Sequence, residues 1–338
     1  MRTNLSSQIS LNHVSPRYYK PENAVERSVL TRLEKIPTDI FETIEEGVRR
    51  IADEVAAKIQ ERQREGKFCT LAIGTGTSLR PLFTELVRRH KDEGLSFRNV
   101  VVFNLYEFYP LTEGNGSTFG QLNSLFLSQT DIDRQNVFTI DGSIPQNAIS
   151  EHCRLYEQRI QTFGGIDIVL MGIGREGNIG MNEPGSHASS PTRLILLDAT
   201  SRSEAARNWG VDNLPPCSIT MGVQTILSAR KIYLLTWGED KADIIQKAVE
   251  GNVNDTLPAS FLQLHNNVNV CIDLAAASHL TRIQRPWLVT SCEWNDKLIR
   301  SAIVWLCTLL NKPILKLTNK DYNENGLSEL LALYGSAY

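Results

Sequence analysis

The 338-residue sequence has no apolar run of about 18 residues, so it encodes no membrane-spanning helix and we expect no membrane partner. Its first residues lack the apolar run of a secretory signal peptide, which favours a cytoplasmic protein. The formal net charge is −3 at pH 7, so neither sign of charge is in large excess. This balance gives no electrostatic reason to expect a nucleic acid as partner.

Cysteine and histidine are scarce and dispersed. The six cysteines form no C-x-x-C pair, and the six histidines show no metal-ligand spacing such as H-E-x-x-H. Several cysteines, among them Cys69 and Cys271, lie inside apolar runs. Buried free thiols in a reducing cytoplasm are the simplest interpretation, and we expect neither disulfides nor a metal site.

Short, nearly continuous apolar runs alternate with segments of helical periodicity along most of the chain. Such runs are typical of parallel strands covered on both faces. The repeated strand-then-helix order predicts a doubly wound, Rossmann-like α/β fold, a mostly parallel sheet with helices on both faces and ligands at the carboxyl ends of its strands. The predicted strands are 68–73, 100–104, 166–171, 194–197 and 231–236, and the predicted helices between and before them include 28–62, 79–90 and 119–127.

The two ends of the chain differ in character from its middle. Polar residues with Pro16 and Pro21 predict a loosely ordered arm at 1–27, and the sheet domain is assigned to 28–284. Residues 285–338 are assigned to a small C-terminal βα extension, and a further C-terminal domain is compatible with the uncapped end. The elements predicted in this extension are strands at 285–290 and 313–317 and helices at 295–310 and 326–333.

A glycine-rich turn follows the third predicted strand, and Gly172, Gly174 and Gly177 match G-x-G-x-x-G, the fingerprint of a dinucleotide site. Asp198 even supplies an acid about 20 residues later, as that fingerprint expects. However, the fingerprint needs a helix directly after the third glycine, and two prolines and two further glycines forbid one here. The segment is therefore a loop at a strand end, either a simple bend or a functional loop. It carries Glu176, Asn178 and Glu183.

A second glycine turn follows the first predicted strand and leads into a helix that starts near Arg80. Its glycines let backbone N–H groups approach an anion, and the helix dipole favours negative charge there. No G-K-[ST] follows, so it is not a Walker loop. Lys241, Arg207 and Arg193 are candidate cationic partners, unless each is an ordinary surface cation. The turn itself consists of Gly74, Thr75, Gly76, Thr77 and Ser78.

Five segments together carry a family likeness: residues 96–104, 172–184, 221–223, 237–241 and 248–251. In order and spacing they resemble the glucosamine-6-phosphate deaminases, which form one sugar-phosphate superfamily with the 6-phosphogluconolactonases. The resemblance covers about residues 35–275, and the chain looks like the deaminase-like half of an extended form. It implies a Rossmann-like sheet without nucleotide, and conversion of glucosamine 6-phosphate and water to fructose 6-phosphate and ammonia. It also implies no cofactor, a phosphorylated amino sugar as ligand and a homo-oligomer.

The resemblance also implies site roles. The turn 74–78, Arg207 and Lys241 match the groups that hold the phosphate, although Thr77 replaces one of two adjacent glycines. Glu183 matches the glutamate that works in ring opening. Arg193 and Ser186 match contacts of an effector site found in some bacterial members, where His187 and Ile195 replace others.

The acid–base set departs from the family pattern at two positions. Glu176 keeps the carboxylate of the family turn Gly-x-Asp-Gly-His, but Asn178 replaces its histidine, and an amide exchanges no proton near pH 7. Tyr106 stands where the family has the aspartate that acts at C2, and a phenol is a poor base at neutral pH. Two replacements for this aspartate as the base at C2 are open. Glu107, the next residue, could take the role after a small backbone adjustment, or Glu176 or Glu183 could carry the C2 proton.

Three functions are therefore open at the level of sequence. The first is an amino-sugar-phosphate deaminase of sugar catabolism with an altered acid–base set. The second is a regulatory module that binds the sugar phosphate without turning it over. The third is lactone hydrolysis or plain sugar-phosphate isomerisation by the related fold.

Overall fold

The computed structural model describes residues 14–112, 116–209 and 214–335, and the chain divides into two compact units. Residues 35–277 form the larger unit, and the segments before and after them form the smaller one. The boundaries predicted after residues 27 and 284 lie near these positions. Residues 1–13 of the predicted arm lie outside the described part of the chain. Its remainder holds the 3-10 turn Pro16–Tyr18 and the start of the helix Ala24–Leu30, so it is not a loose arm.

A seven-stranded sheet, parallel at every pairing, forms the centre of the larger unit. The strands of the unit, in chain order, are β1 Thr38–Phe41, β2 Cys69–Ile73, β3 Val100–Asn104, β4 Tyr106–Tyr109, β5 Val137–Phe138, β6 Ile168–Met171, β7 Arg193–Leu196, β8 Cys217–Thr220, β9 Lys231–Thr236 and β10 Val268–Asp273. The order of strands in the seven-stranded sheet is β1-β10-β9-β6-β2-β3-β5, and every residue of β2, β3 and β6 is buried. The predicted doubly wound α/β class is confirmed.

A second sheet of three antiparallel strands, in the order β4-β8-β7, lies in the same unit. The prediction that 194–197 is a covered parallel strand is wrong, because β7 is an edge strand of this smaller sheet. Leu196 on β7 is 73% exposed. A short apolar run cannot by itself distinguish a buried strand from such an edge.

The helices of the larger unit follow the amphipathic pattern. In the helix Ile44–Arg64, Ile51, Val55 and Ile59 are buried, and Thr43 caps its start by accepting a hydrogen bond from the Glu46 N–H. The helix predicted at 28–62 is nevertheless interrupted, because Pro37 and the strand β1 precede Ile44. None of the described helices is long and apolar enough to cross a membrane. The helices of the unit are Ile44–Arg64, Arg80–Glu93, Thr118–Leu125, Ile149–Thr162, Ala199–Trp209, Val223–Leu227 and Ala242–Glu250.

Within its described residues the smaller unit is built from helices and turns. The strands predicted at 285–290 and 313–317 are wrong, since 3-10 turns occupy both places, at Pro286–Leu288 and Ile314–Lys316. Pro286 and Pro313 remove backbone donors that a strand ladder would need, and this favours turns. The C-terminal extension is therefore helical. The helices of the unit are Ala24–Leu30, Thr281–Gln284, Asp296–Leu310, Asn319–Glu324 and Ser328–Tyr334.

The segment between β6 and β7, residues 172–192, is the loop that the sequence predicts, and none of its residues, all of which are described, is helical. Backbone hydrogen bonds fix it to the rest of the unit. The Gly185 N–H donates to the Asp255 carbonyl at 2.8 Å, and the Gln224 N–H donates to the Ser190 carbonyl at 3.0 Å. This long loop therefore has a defined course over the sheet edge.

Gly222 provides a test of that course. A Cβ placed there would overlap the carbonyl oxygens of Ser190 and Pro191 at the end of the loop. Since backbone atoms cannot retreat cheaply, we expect Gly222→Ala to lower the free energy of unfolding by about 1–3 kcal/mol in urea denaturation followed by circular dichroism.

Gly76→Ala is the matched control. Nothing lies within 4 Å of a Cβ at Gly76, and its φ of −59° suits alanine. This change should leave stability equal or raise it by about 0.4–1 kcal/mol. Equal effects of the two substitutions would contradict the close packing of Gly222 against the loop.

Candidate functional site

The candidate site lies where four neighbouring strands end. The strands β9, β6, β2 and β3 are adjacent and parallel, so their carboxyl ends share one edge of the sheet. The segments that leave them carry most of the sequence-predicted residues, whereas Arg193 lies on β7 and Arg207 on the helix Ala199–Trp209. Direct contacts join these segments: the Trp237 indole N–H donates to the Ser78 carbonyl at 2.9 Å, and the Thr75 Oγ1 lies 3.3 Å from the Tyr106 hydroxyl.

The turn Gly74–Ser78 leads from a strand into a helix. It follows β2 directly, tightens into the 3-10 turn Thr77–Leu79, and leads into the helix that starts at Arg80. The Leu79 and Arg80 N–H groups donate to the Gly76 and Thr77 carbonyls, and the next residue is a proline without an N–H, so an anion would be held by the turn rather than by the helix start. Thr75 is buried, and Thr77 and Ser78 directly precede the helix. The predicted turn is thus present, and its role in binding phosphate stays a prediction.

Lys241 is the buried cation of the site. It is only 8% exposed, and its Nζ lies 2.8 Å from the Glu204 carboxylate. The second oxygen of Glu204 accepts a hydrogen bond from the Arg175 N–H at 3.0 Å. The Arg175 guanidinium is also 3.7 Å from Glu204 and 3.7 Å from Asp240. A charged lysine can be buried only with such a partner, so Glu204 stabilises the site as it stands.

The helix Ala199–Trp209 brings side chains to the site that the sequence did not single out. Ser201 and Glu204 are three residues apart, so they share one helix face. Arg207, expected to hold phosphate, lies on the same helix, but it is exposed and its Nε donates to the Ser203 carbonyl at 3.2 Å. In the sequence, the spacing of Ser201 and Glu204 indicates only that they share a helix face. It does not indicate which part of the fold that face contacts.

Glu183 carries a buried carboxylate on the loop, whereas that of Glu176 is exposed. Glu183 is 9% exposed, and its Oε2 accepts a hydrogen bond from the Ser201 hydroxyl at 3.0 Å. Its Oε1 is buried and has no hydrogen-bond partner among the described residues. Burial raises the pKa of Glu183 above its ordinary value of 4.5, and the hydrogen bond from Ser201 works against this rise.

Asn178 and Glu176 lie beside Glu183. The Asn178 amide donates to the Ser201 hydroxyl at 3.4 Å, so Ser201 connects Asn178 to Glu183. The Oδ1 of Asn178 is buried against Gly174 and has no hydrogen-bond partner in the described part of the chain. Glu176 is exposed, and its negative charge contributes to the raised pKa of Glu183.

Tyr106 faces the same space and is a neutral group there. It is 8% exposed, and burial is the main reason why its pKa is raised above 10.0, with the charges of Glu107 and Glu204 adding to the rise. The hydroxyl therefore remains protonated near neutral pH and serves as a hydrogen-bonding group. A phenol in this state does not replace a carboxylate as a base.

Glu107 does not join the cluster. Its carboxylate, in a residue 1% exposed, accepts hydrogen bonds from the Phe108, Thr118 and Phe119 N–H groups and from the Ser117 hydroxyl, at 2.6–3.1 Å. These donors include the first N–H groups of the helix Thr118–Leu125, so Glu107 holds the start of that helix. A small backbone adjustment cannot free it for a substrate.

The two predicted effector-site residues are in direct contact. The Arg193 guanidinium donates to the Ser186 hydroxyl at 2.8 Å and to the Asn182 Oδ1 at 2.8 Å. Burial lowers the pKa of Arg193 below its ordinary value. Ser186 lies on the loop that carries Glu183 and Arg193 begins β7, and the role of the pair in binding an effector stays a prediction. No grouping of three or more His, Cys, Asp or Glu side chains suited to a metal occurs in the residues that the structure describes.

Residues 42–271 match the family model described as glucosamine-6-phosphate isomerases and 6-phosphogluconolactonases. A glucosamine-6-phosphate deaminase-like protein of Bacteroides thetaiotaomicron is 66% identical over 340 residues, which cover 100% of this chain and 51% of that protein. The chain thus spans about half the length of this relative. Glucosamine-6-phosphate deaminase 1 of Bacillus subtilis is 36% identical over 228 residues, which cover 67% of this chain and 93% of that protein.

Solved structures agree with the sequence relatives. A monomeric glucosamine-6-phosphate deaminase has a TM-score of 0.68 and 35% identity, with 72% of this chain and 100% of that one covered. The 6-phosphogluconolactonase of Trypanosoma brucei, at 18% identity, a TM-score of 0.59 and coverage of 73% and 99%, shares the fold. The superfamily resemblance drawn from the motifs is confirmed, whereas the expected homo-oligomer stays a prediction.

The structural role of Glu107 can be tested. Glu107→Gln places an amide N–H₂ among donors that need an acceptor, so we expect the free energy of unfolding to fall by about 2–3 kcal/mol in chemical denaturation. Glu176→Gln, at an exposed carboxylate of the neighbouring loop, is the control and should change stability by less than about 0.5 kcal/mol. A Glu107→Gln protein as stable as the parent would show that Glu107 does not hold the helix start.

Proposed function

Because the chain belongs to the family of glucosamine-6-phosphate isomerases and 6-phosphogluconolactonases, we propose that it converts glucosamine 6-phosphate and water to fructose 6-phosphate and ammonia in amino-sugar catabolism. In this proposal the turn Gly74–Ser78 and Lys241 bind the phosphate. Glu183 is the principal acid–base group. The activity is proposed for these 338 residues, and the proposal does not extend to the activity of a longer protein that contains them.

The observation that carries the proposal is the carboxylate of Glu183. It is buried, its pKa is raised, and its Oε1 has no partner among the described residues. A carboxyl group with a raised pKa exchanges protons closer to neutral pH, which is the property of a general acid–base catalyst. It lies on the loop from β6, at the sheet edge that also presents Lys241 and the glycine turn.

The reaction needs the pyranose ring opened, a proton moved from C2 to C1 through an enolamine, and ammonia released as water adds. C1 and C2 are adjacent, so one carboxylate that takes the proton from C2 can return it to C1. Glu183 is assigned this step. Asn178 and Ser201 orient the sugar hydroxyls, and the Tyr106 hydroxyl acts as a hydrogen-bonding group rather than as a base.

A second function, binding of the sugar phosphate without turnover, is favoured by a specific observation. Neither residue at the two altered family positions exchanges protons readily, since Asn178 is an amide and Tyr106 is a buried phenol with a raised pKa. Glu107 is held by four donors and does not substitute for them. In this case the cradle and Lys241 would serve a regulatory role.

An assay with glucosamine 6-phosphate separates the two functions. We expect ammonia and fructose 6-phosphate to form in equal amounts, and Glu183→Gln to lower kcat by a factor of about 10² or more, since an amide carries no proton. Asp243→Asn, at an exposed surface carboxylate, is the matched control and should keep full activity. Calorimetric binding with no ammonia, even at high protein concentration, would support the regulatory module, and parallel incubation with 6-phosphogluconolactone tests hydrolysis.

The pH dependence of the reaction tests the link between Ser201 and Glu183. A base must be deprotonated, so the acidic limb of the kcat/KM profile follows the pKa of Glu183, above 4.5. The Ser201 hydroxyl bonds to the charged carboxylate and lowers that pKa, so Ser201→Ala should move the limb to higher pH. Ser203→Ala, on the exposed side of the same helix, is the control. An unmoved limb in Ser201→Ala would mean that Glu183 is not the group seen in the profile.

A further inference from the structure

Glu204 occupies the place of a ligand anion. One of its oxygens lies 2.8 Å from the Nζ of Lys241, and the other accepts a hydrogen bond at 3.0 Å from the Arg175 backbone N–H in the glycine-rich loop. A lysine ammonium together with a loop N–H is the donor set that a phosphate uses. The side chains of Glu204 and Lys241 are only 17% and 11% exposed, so the pair is largely shielded from water.

The charges around this pair already balance. Lys241 and Arg175 supply two positive charges, and Glu204 and Asp240, within 4 Å of them, supply two negative charges. A phosphate monoester carries a charge of about −1.5 to −2 at pH 7, so adding one beside Glu204 would put like charges on a single ammonium group. Like charges at such a distance repel strongly in a site shielded from water. The phosphate and the Glu204 carboxylate therefore compete for Lys241.

We propose that Glu204 is an internal counterion that the phosphate of the ligand displaces from Lys241, so that binding is an exchange of one anion for another. This inference rests on the proposed function, because it takes Lys241 as the phosphate-binding cation. The exchange keeps Lys241 paired both with and without ligand, which a buried charge requires. It also weakens the binding of any anion by the cost of breaking the Glu204 contacts, which makes Glu204 a residue that sets ligand affinity.

Titration calorimetry with inorganic phosphate and with glucosamine 6-phosphate tests the exchange. Glu204→Gln removes the competing charge and keeps the side-chain size, so we expect both probes to bind about 5 to 10 times more tightly than to the parent. Asp243→Asn is the matched control, because Asp243 also pairs with a lysine, Lys247 at 2.6 Å, but on the exposed surface. It changes the net charge equally and should leave both affinities unchanged.

A second variant guards against loss of the fold. Glu204→Asp keeps the charge but is one methylene shorter, so its carboxylate no longer reaches Lys241 at 2.8 Å, and binding of both probes should again tighten. Unchanged or weaker binding in the folded Glu204 variants would overturn the exchange.

Lys241→Ala distinguishes this failure from that of the proposed function. Loss of phosphate binding in Lys241→Ala, with no gain in the Glu204 variants, would remove the exchange alone and leave the phosphate site in place. Full phosphate binding by Lys241→Ala would overturn both, because Lys241 would then not be the phosphate-binding cation. Loss in Lys241→Ala together with the gain in Glu204→Gln supports the exchange.

Discussion

The parallel alignment of β9, β6, β2 and β3 is the constraint on which the site depends. The register that pairs Leu71 with Ile168 and Val169 with Ile232 brings the four strand ends to one edge. Because β2, β3 and β6 are buried throughout, the strands themselves hold no room for charged groups. The polar groups therefore lie in the loops that leave this edge and on the helix Ala199–Trp209, which contacts two of these loops through Lys241 and Glu183.

Burial of charge at that edge explains how the loops and the helix Ala199–Trp209 fit together. Lys241 is almost inaccessible and needs a negative partner, which Glu204 supplies from the helix. Glu183 is also buried, but its Ser201 contact brings no positive charge, so burial raises its pKa instead. Ser201, one turn before Glu204, donates to Glu183. A single helix thus pairs with one buried charge, at Lys241, and donates a hydrogen bond to a second, at Glu183.

Local patterns predicted the parts of the structure that depend on neighbours in sequence. The apolar run of β2 and the glycines after it predicted a strand followed by a tight turn, and both are present. The contacts of Glu204 were not predictable, because its spacing shows a helix face but not which loop that face meets. The strands predicted near Pro286 and Pro313 are wrong because the prediction gave more weight to the apolar residues than to the prolines. The prolines favour the 3-10 turns that occupy both places.

Strand geometry explains why the carboxylate next to Tyr106 cannot take over its position. Tyr106 and Glu107 are consecutive residues of β4, and successive side chains of a strand point to opposite faces. Exchanging them would require a one-residue slip of β4 against β8, which would turn every side chain of β4 to the wrong face. The position of Tyr106 therefore offers a ligand a neutral hydroxyl, and the proposed mechanism leaves proton transfer to Glu183.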